Sequence, residues 1–159
     1  MSAGPKLPLT APANMLALDN QFCFALYSAS HAMTKTYKPL LERLGLTYPQ
    51  YLVMLVLWEQ DAMLVKQIGA RLYLDSGTLT PLLKRLEANG LLSRNRDPHD
   101  ERQVRIVLSA EGRELRATAA QIPRQVLCAS GQELPILASM RGELVRVRDD
   151  LLKALDADS

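Results

Sequence analysis

Eight apolar residues follow one another without a break from Tyr51 to Trp58. A surface helix confines its apolar residues to one stripe, and a half-buried strand alternates them. A segment from Pro49 to Glu59 that is apolar nearly all round has no face to offer water, so it reads as a central helix buried by everything else. The chain has 159 residues, the size of one domain. A domain of that size buries roughly 70% of its unfolded surface, enough for a core around such a helix.

The pattern on either side is helical. Residues 1–13 read as a flexible arm and 14–159 as a single domain. From Met15, Leu18, Phe22, Leu26, Ala29 and Met33 recur at helical spacing, and Pro39 is expected to end or bend that helix. Leu40 to Leu44 add a turn closed by Gly45. After the central helix come a short helix over Val65–Leu72 and a second one, capped by Asp75 or Ser76 and ended by Asn89-Gly90, with Leu91 closing the contact. Pro81 removes one internal hydrogen bond from it, and Gly77 limits the clash. Leu91–Asn95 and Val104–Leu108 are strand-like and flank a polar, proline-containing turn, so they form a hairpin. Ser109 caps a helix running towards Cys128 with a kink at Pro123, and Ser130 with Glu133 makes a capping-box pattern for a last helix to about Leu155. The expected fold is mainly α with a small β wing.

Helix, short turn, helix and hairpin is the order of a winged helix-turn-helix. Its second helix enters the major groove N-terminal end first. Asp75, Ser76, Thr78 and Thr80 occupy that end, and Lys84 and Arg85 lie where the helix passes the backbone. Arg96 and Arg102 on the wing suit a narrow minor groove, and Asp100 is placed to pair with the Arg102 guanidinium. Charge agrees. From Lys66 to Arg96 there are six basic residues and two acids, a local +4 in a chain whose net charge is only +2.

The run Asp75-Ser76-Gly77-Thr78-Leu79-Thr80-Pro81-Leu82-Leu83-Lys84-Arg85-Leu86-Glu87, followed by Gly90-Leu91 and Arg96-Asp97-Pro98-His99-Asp100-Glu101-Arg102, resembles the MarR family of dimeric repressors. With Cys23 and particular tyrosines it is similar to that family's organic-hydroperoxide sensors of the OhrR type, in their two-cysteine branch. The resemblance spans about Met15 to Leu155. It implies a homodimer joined through residues 14–45 and 109–155, a DNA-reading unit over 49–108, and a pseudo-palindromic operator as partner. Cys23 is then the redox-sensing thiol, organic hydroperoxides are the inducers, and Cys128 of the other subunit is the resolving thiol.

Both phenylalanines of the chain, Phe22 and Phe24, flank Cys23 and suit a peroxide with an apolar tail. A peroxide is attacked by a thiolate, so something must favour the anion. The helix dipole is expected to help little, because a helix starting at Met15 places Cys23 more than two turns inside. Phenol donors remain: Tyr27, one turn on, with Tyr37 and Tyr48 as the other candidates. Tyr37 lies fourteen residues from Cys23, about 21 Å along a continuous helix, so it reaches a sulfur only across a dimer interface.

The N-terminus has Pro5, Pro8 and Pro12 and no apolar run, and no segment is apolar enough to span a bilayer, so a cytoplasmic protein is expected. Two scattered histidines, His31 and His99, and two cysteines make no metal pattern, and no cofactor is expected. Two rival readings remain. One is a repressor that answers a small phenolic or carboxylate ligand with structural cysteines; the other is a thiol peroxidase, disfavoured because C-x-x-C and βαβ patterns are missing.

Overall fold

The computed structural model describes residues 15–157, so the arm expected over residues 1–13 lies outside the described residues. A 3-10 turn at Leu18–Asn20 precedes α1 (Phe22–Glu42) and the central α2 (Tyr48–Glu59). Then come β1 (Met63–Leu64), α3 (Val65–Leu72), α4 (Ser76–Ala88), β2 (Leu92–Arg96) and β3 (Val104–Leu108). α5 (Ala110–Ala119), α6 (Ile122–Ser130) and α7 (Leu134–Ala157) complete the chain. The fold is mainly α with a small β wing, as expected.

α2 is the hub. Tyr51, Val53, Met54, Val56 and Leu57 are buried, and α1, α3, α4 and α5 pack around it. Its N-terminus is closed by Gln50, whose Oε1 accepts the Thr47 amide at 2.8 Å. On the far side Trp58 donates its indole N–H to the Gly112 carbonyl at 2.8 Å, fastening α5 to the hub.

The hairpin is part of a three-stranded antiparallel sheet ordered β1-β3-β2. The two-residue β1, with Met63 opposite Ile106 and Leu64 opposite Arg105, was not foreseen: it is too short to show a period. β2 starts at Leu92, one residue later than expected, because Leu91 belongs to the cap of α4. Asp61 ties the sheet to its neighbours by accepting the Ala62 and Leu108 amides at 2.7 and 2.9 Å and pairing with Arg113 at 2.8 Å. Burial pushes its carboxyl up, but these bonds outweigh that and bring it below the ordinary range.

Four local expectations are corrected. The first α-helix does not begin at Met15. The Gln21 side chain turns back to donate to the carbonyls of Met15 and Ala17, and Gln21 itself is extended, so α1 starts at Phe22. Pro39 does not end α1. The helix runs on because Leu41 is anchored in the core, and it stops where Gly45 takes a left-handed φ of 66° and Leu46 N–H bonds back to Leu41. The helix after Ser109 is two helices, with Pro123 in the first turn of α6, where its missing N–H costs nothing. Ser130 and Glu133 form no capping box. Ser130 ends α6, donating to the Leu127 carbonyl and accepting from Gln132 N–H.

α7 has no buried residue. It exposes Leu134, Ile136, Met140, Leu144, Val145, Leu151, Leu152 and Leu155, and α1 exposes Phe22, Tyr27 and Met33. No helix among the described residues is long and apolar enough to cross a membrane.

Candidate functional site

α4 is capped at both ends as its composition requires. Asp75 Oδ1 accepts the Thr78 amide at 2.8 Å, and Oδ2 accepts the Thr78 hydroxyl at 3.0 Å. Those bonds hold the Asp75 carboxyl below the usual range. Asp75 is therefore the cap, and Ser76 is left exposed at the tip. Thr80 donates its hydroxyl to the Ser76 carbonyl. At the other end Gly90, at φ 74°, lets Leu91 N–H reach Leu86 O and Gly90 N–H reach Glu87 O. Leu79, Leu83 and Leu86 are buried against the hub, which turns Ser76, Thr78, Lys84 and Arg85 outward together. Pro81 sits inside the helix without ending it.

Pairing in the tertiary structure redistributes the basic excess read from the sequence. Arg71 pairs with Glu59 and Arg94 with Glu87, at 2.6 and 2.8 Å. Glu87 also accepts the Arg94 amide at 3.0 Å, so the end of α4 is riveted to β2 and two of the counted cations are spent internally. Lys66, Lys84, Arg85, Arg96 and Arg102 are exposed, and among the described residues no carboxylate lies within ion-pair distance of any of them. Those five are the cations that α3, α4 and the wing present to solvent.

The wing is held differently from the expectation. Asp100 does not pair with the Arg102 guanidinium. Its Oδ1 accepts the Arg102 amide at 3.1 Å and its Oδ2 accepts Gln103 Nε2 at 2.8 Å, so a backbone donor and a side-chain amide within the turn take both oxygens. The pair that shapes the wing is Asp97–Arg105. Asp97, 4% exposed, accepts the His99 and Asp100 amides at 2.9 and 3.2 Å and Arg105 Nε at 2.9 Å. Arg105 also donates to the Ala62 carbonyl, tying the wing to the start of β1. The His99 amide, and then the Arg105 guanidinium, hold the Asp97 carboxyl below its usual range. The sequence carried one signal for this, an aspartate directly before Pro98-His99 in a turn, where its side chain can accept the amide two residues on.

Cys23 is the second residue of α1, in its first turn, and is exposed. This overturns the placement more than two turns inside. The first turn is the end of the helix that carries its unpaired amides. Phe22, 55% exposed, and Tyr27, 59% exposed, form no enclosure around it within one chain. Tyr27 packs at a tilt against His31, 4.2 Å between ring centroids, and its ring centroid lies 6.4 Å from that of Phe24.

Tyr37 lies on the same unbroken α1 and so cannot reach Cys23 of its own chain. It packs instead against Tyr48 and Tyr51, at 4.8 and 5.8 Å. Tyr51, foreseen only as core, is the third member of this cluster. Burial, with the neighbouring phenols Tyr48 and Tyr51, pushes the Tyr37 hydroxyl up to about 12. Burial raises Tyr48 and Tyr51 too. The phenols therefore stay protonated and are hydrogen-bond donors at any physiological pH. Beside them a cleft of about 600 Å³ opens between α1 and the start of α2, lined by His31, Thr34, Lys35, Lys38, Leu41 and Tyr48 among others.

Cys128 is exposed near the end of α6 with Arg124 one turn before it. Among the described residues no group of three His, Cys, Asp or Glu side chains gathers as a metal site would require.

Comparisons with known proteins agree with this geometry. A family model described as Transcriptional regulator SarA/Rot matches residues 35–118. The HTH-type transcriptional regulator TtmR of Methylorubrum extorquens is 51% identical over 85% of this chain and 69% of its own length. The organic hydroperoxide resistance transcriptional regulator of Bacillus subtilis is 48% identical over 86% of this chain and 92% of its own. Reduced AbfR bound to DNA aligns with a TM-score of 0.72 at 35% identity, over 85% of this chain and 94% of that one. AbfR, a protein of Staphylococcus epidermidis, has also been solved in a disulfide form, which aligns at 0.57 with 35% identity over 82% and 91%.

Proposed function

The chain belongs to the SarA/Rot family of MarR-like winged-helix transcriptional regulators, and from that premise we infer that it is a redox-sensing repressor released from its operator by organic hydroperoxides. The proteins it is related to are regulators of transcription, not enzymes. The observation that carries the reading is the Cys23 thiol, exposed in the first turn of α1 where a peroxide can reach it from solvent. Two relatives support it: one named for organic hydroperoxide resistance, and AbfR, solved reduced on DNA and as a disulfide.

The working unit is a homodimer. Residues 14–45 and 109–155 supply its helices, and 49–108 form each reading head. Support comes from the apolar side chains that α1 and α7 leave uncovered in one chain. In the dimer the Tyr37 and Tyr48 hydroxyls of one subunit donate to Cys23 of the other, and Tyr27 flanks it. Phe22 and Phe24 give an alkyl or aryl tail an apolar seat, which favours organic peroxides over hydrogen peroxide.

The chemistry has two steps. The Cys23 thiolate attacks the terminal peroxide oxygen. An S–O bond forms, the O–O bond breaks, an alkoxide leaves and takes one proton from water to become the alcohol, and sulfur is oxidised by two electrons to sulfenic acid. The Cys128 thiol of the other subunit then displaces the sulfenic hydroxyl, giving a disulfide and water. That bond needs Cα atoms within about 7 Å, so the interface helices shift and the two reading heads lose their one-turn spacing. On DNA, α4 enters the major groove with Ser76, Thr78 and Thr80 foremost and Asp75 fixing their backbone. Lys84 and Arg85 follow the backbone, and Arg96 and Arg102 flank the minor groove, with Asp100 shaping the turn.

The test is DNA release by cumene hydroperoxide, with reversal by dithiothreitol, in wild type, Cys23→Ser and Cys128→Ser. Cys23→Ser should stay bound. Cys128→Ser should lose the intersubunit disulfide seen on non-reducing gels. One specific observation favours a second reading, the 600 Å³ cleft with its basic and aromatic lining. Release that persists in Cys23→Ser would move the trigger from the sulfur to a ligand in that cleft.

A further inference from the structure

Where the first helix of the reading head meets the wing, the surface opens into a cleft of about 480 Å³. It is lined by Lys66 of α3, Ser76 and Thr80 of α4, and Arg102 and Gln103 of the wing. Two observations give it an occupant. Lys66 and Arg102 are exposed, and no carboxylate among the described residues pairs with either, so two cations face one space with no anion between them. Gln103 donates its Nε2 to Asp100 at 2.8 Å, while its Oε1 is buried with no hydrogen-bond partner. The cleft therefore lacks one anion for its cations and one donor for its carbonyl. A lysine ammonium has three donors and can serve both needs.

We propose that this cleft grips one backbone phosphate of duplex DNA at each reading head, with Lys66 bridging the phosphate to Gln103 Oε1 and Arg102 closing from the wing. This rests on the reading of the chain as a DNA-binding regulator. It adds Lys66 and Gln103, which the sequence did not single out as DNA contacts, and gives them a positioning role. The cleft lies between the base-reading tip of α4 and the wing, where the sugar-phosphate backbone passes from major to minor groove. A contact to phosphate sets the register of the head but carries no base preference, and this makes it separable from the contacts of α4.

The experiment measures affinity against KCl for reduced full-length protein, on a duplex it selects from a random pool and on a scrambled duplex. Each phosphate neutralised contributes about 0.9 to the slope of log affinity on log salt. Lys66→Gln should make the slope shallower by about 1.8 for a dimer, so that the wild-type advantage shrinks by about 12-fold between 50 and 200 mM salt. The loss should be the same factor on both duplexes. Gln103→Leu should weaken both duplexes with the slope kept, since the ammonium is still present but no longer anchored. Arg43→Gln, an exposed cation at the end of α1, should leave the slope alone. An unchanged slope in Lys66→Gln overturns the cleft assignment, as does an equal change in Arg43→Gln, which would reduce the effect to net charge. A wild-type protein that binds neither duplex overturns the regulator reading, and the cleft's role with it.

Discussion

Replacing Gly112 by alanine sets a methyl carbon 2.0 Å from the Leu91 carbonyl oxygen, 3.0 Å from its carbonyl carbon and 3.3 Å from Leu108 Cδ2. Ordinary contacts of this kind start near 3.4 Å, and the two shortest are to backbone and not to a flexible side-chain end, so backbone has to move by more than an ångström. The Leu91 carbonyl is already committed. It accepts the Ser109 amide at 3.0 Å, Ser109 Oγ in turn donates to Gly90 O, and the Gly112 carbonyl accepts Trp58 Nε1 at 2.8 Å. Breaking or stretching two such bonds leaves partly buried groups unpaired at about 1–3 kcal/mol each. Helix propensity pulls the other way, since alanine is favoured over glycine by about 1 kcal/mol inside a helix. The net expectation is a loss of about 1–5 kcal/mol, or about 2–20 °C in Tm for a chain of this size. Urea denaturation followed by circular dichroism, at one protein concentration for both proteins, measures it. Trp58 is the only tryptophan, so its fluorescence reports the joint directly. A Gly112→Ala protein as stable as wild type would refute the close docking of α5 on the end of the recognition helix, and with it the route by which α5 and the helices after it are coupled to the reading head.

Three further outcomes follow from the same coordinates. Leu83→Ala, at a fully buried position of α4, should cost about 2–5 kcal/mol by urea titration, the range for a truncated core leucine. The lowered carboxyl of Asp97 contributes stability that is present above the ordinary carboxylate range near 3.9 and is lost as pH falls through its folded value, so the stability advantage of wild type over Asp97→Asn should be full near pH 5 and shrink as pH falls. Comparing the two proteins' stability between pH 5 and 2 checks this, and parallel curves would sink it. Tyr37 runs in the opposite sense: its raised value means a contribution complete below pH 10 and lost as pH rises towards about 12, so phenolate absorbance should show late-titrating tyrosines, Tyr37 among them with Tyr48 and Tyr51, and Tyr37→Phe should reduce that late amplitude.

Much of the reading head was legible in the linear sequence because its signals are local. A capping aspartate bonds an amide three residues away, and a glycine after the last turn takes the left-handed cap, so both ends of α4 follow from nearest neighbours. The unbroken apolar run likewise dictated a buried hub, since no exposed arrangement tolerates it. The thiol was harder. Its residue type was evident, but its place in the first turn depends on Gln21 folding back onto the carbonyls of Met15 and Ala17, a competition that periodicity does not register.

What the sequence determined by itself was helix type, end and hub, wherever one residue's chemistry acts within a turn or two of chain. Tertiary structure alone decided which cations stay unpaired, that Asp97 and not Asp100 anchors the wing's arginine, that a two-residue strand completes the sheet, and that three phenols meet at the root of α2. Those outcomes join residues up to 43 positions apart, as Met63 and Ile106 are. A partner at that distance is chosen by packing, because the energy of an ion pair or a buried hydrogen bond depends on who shares the space and not on spacing along the chain.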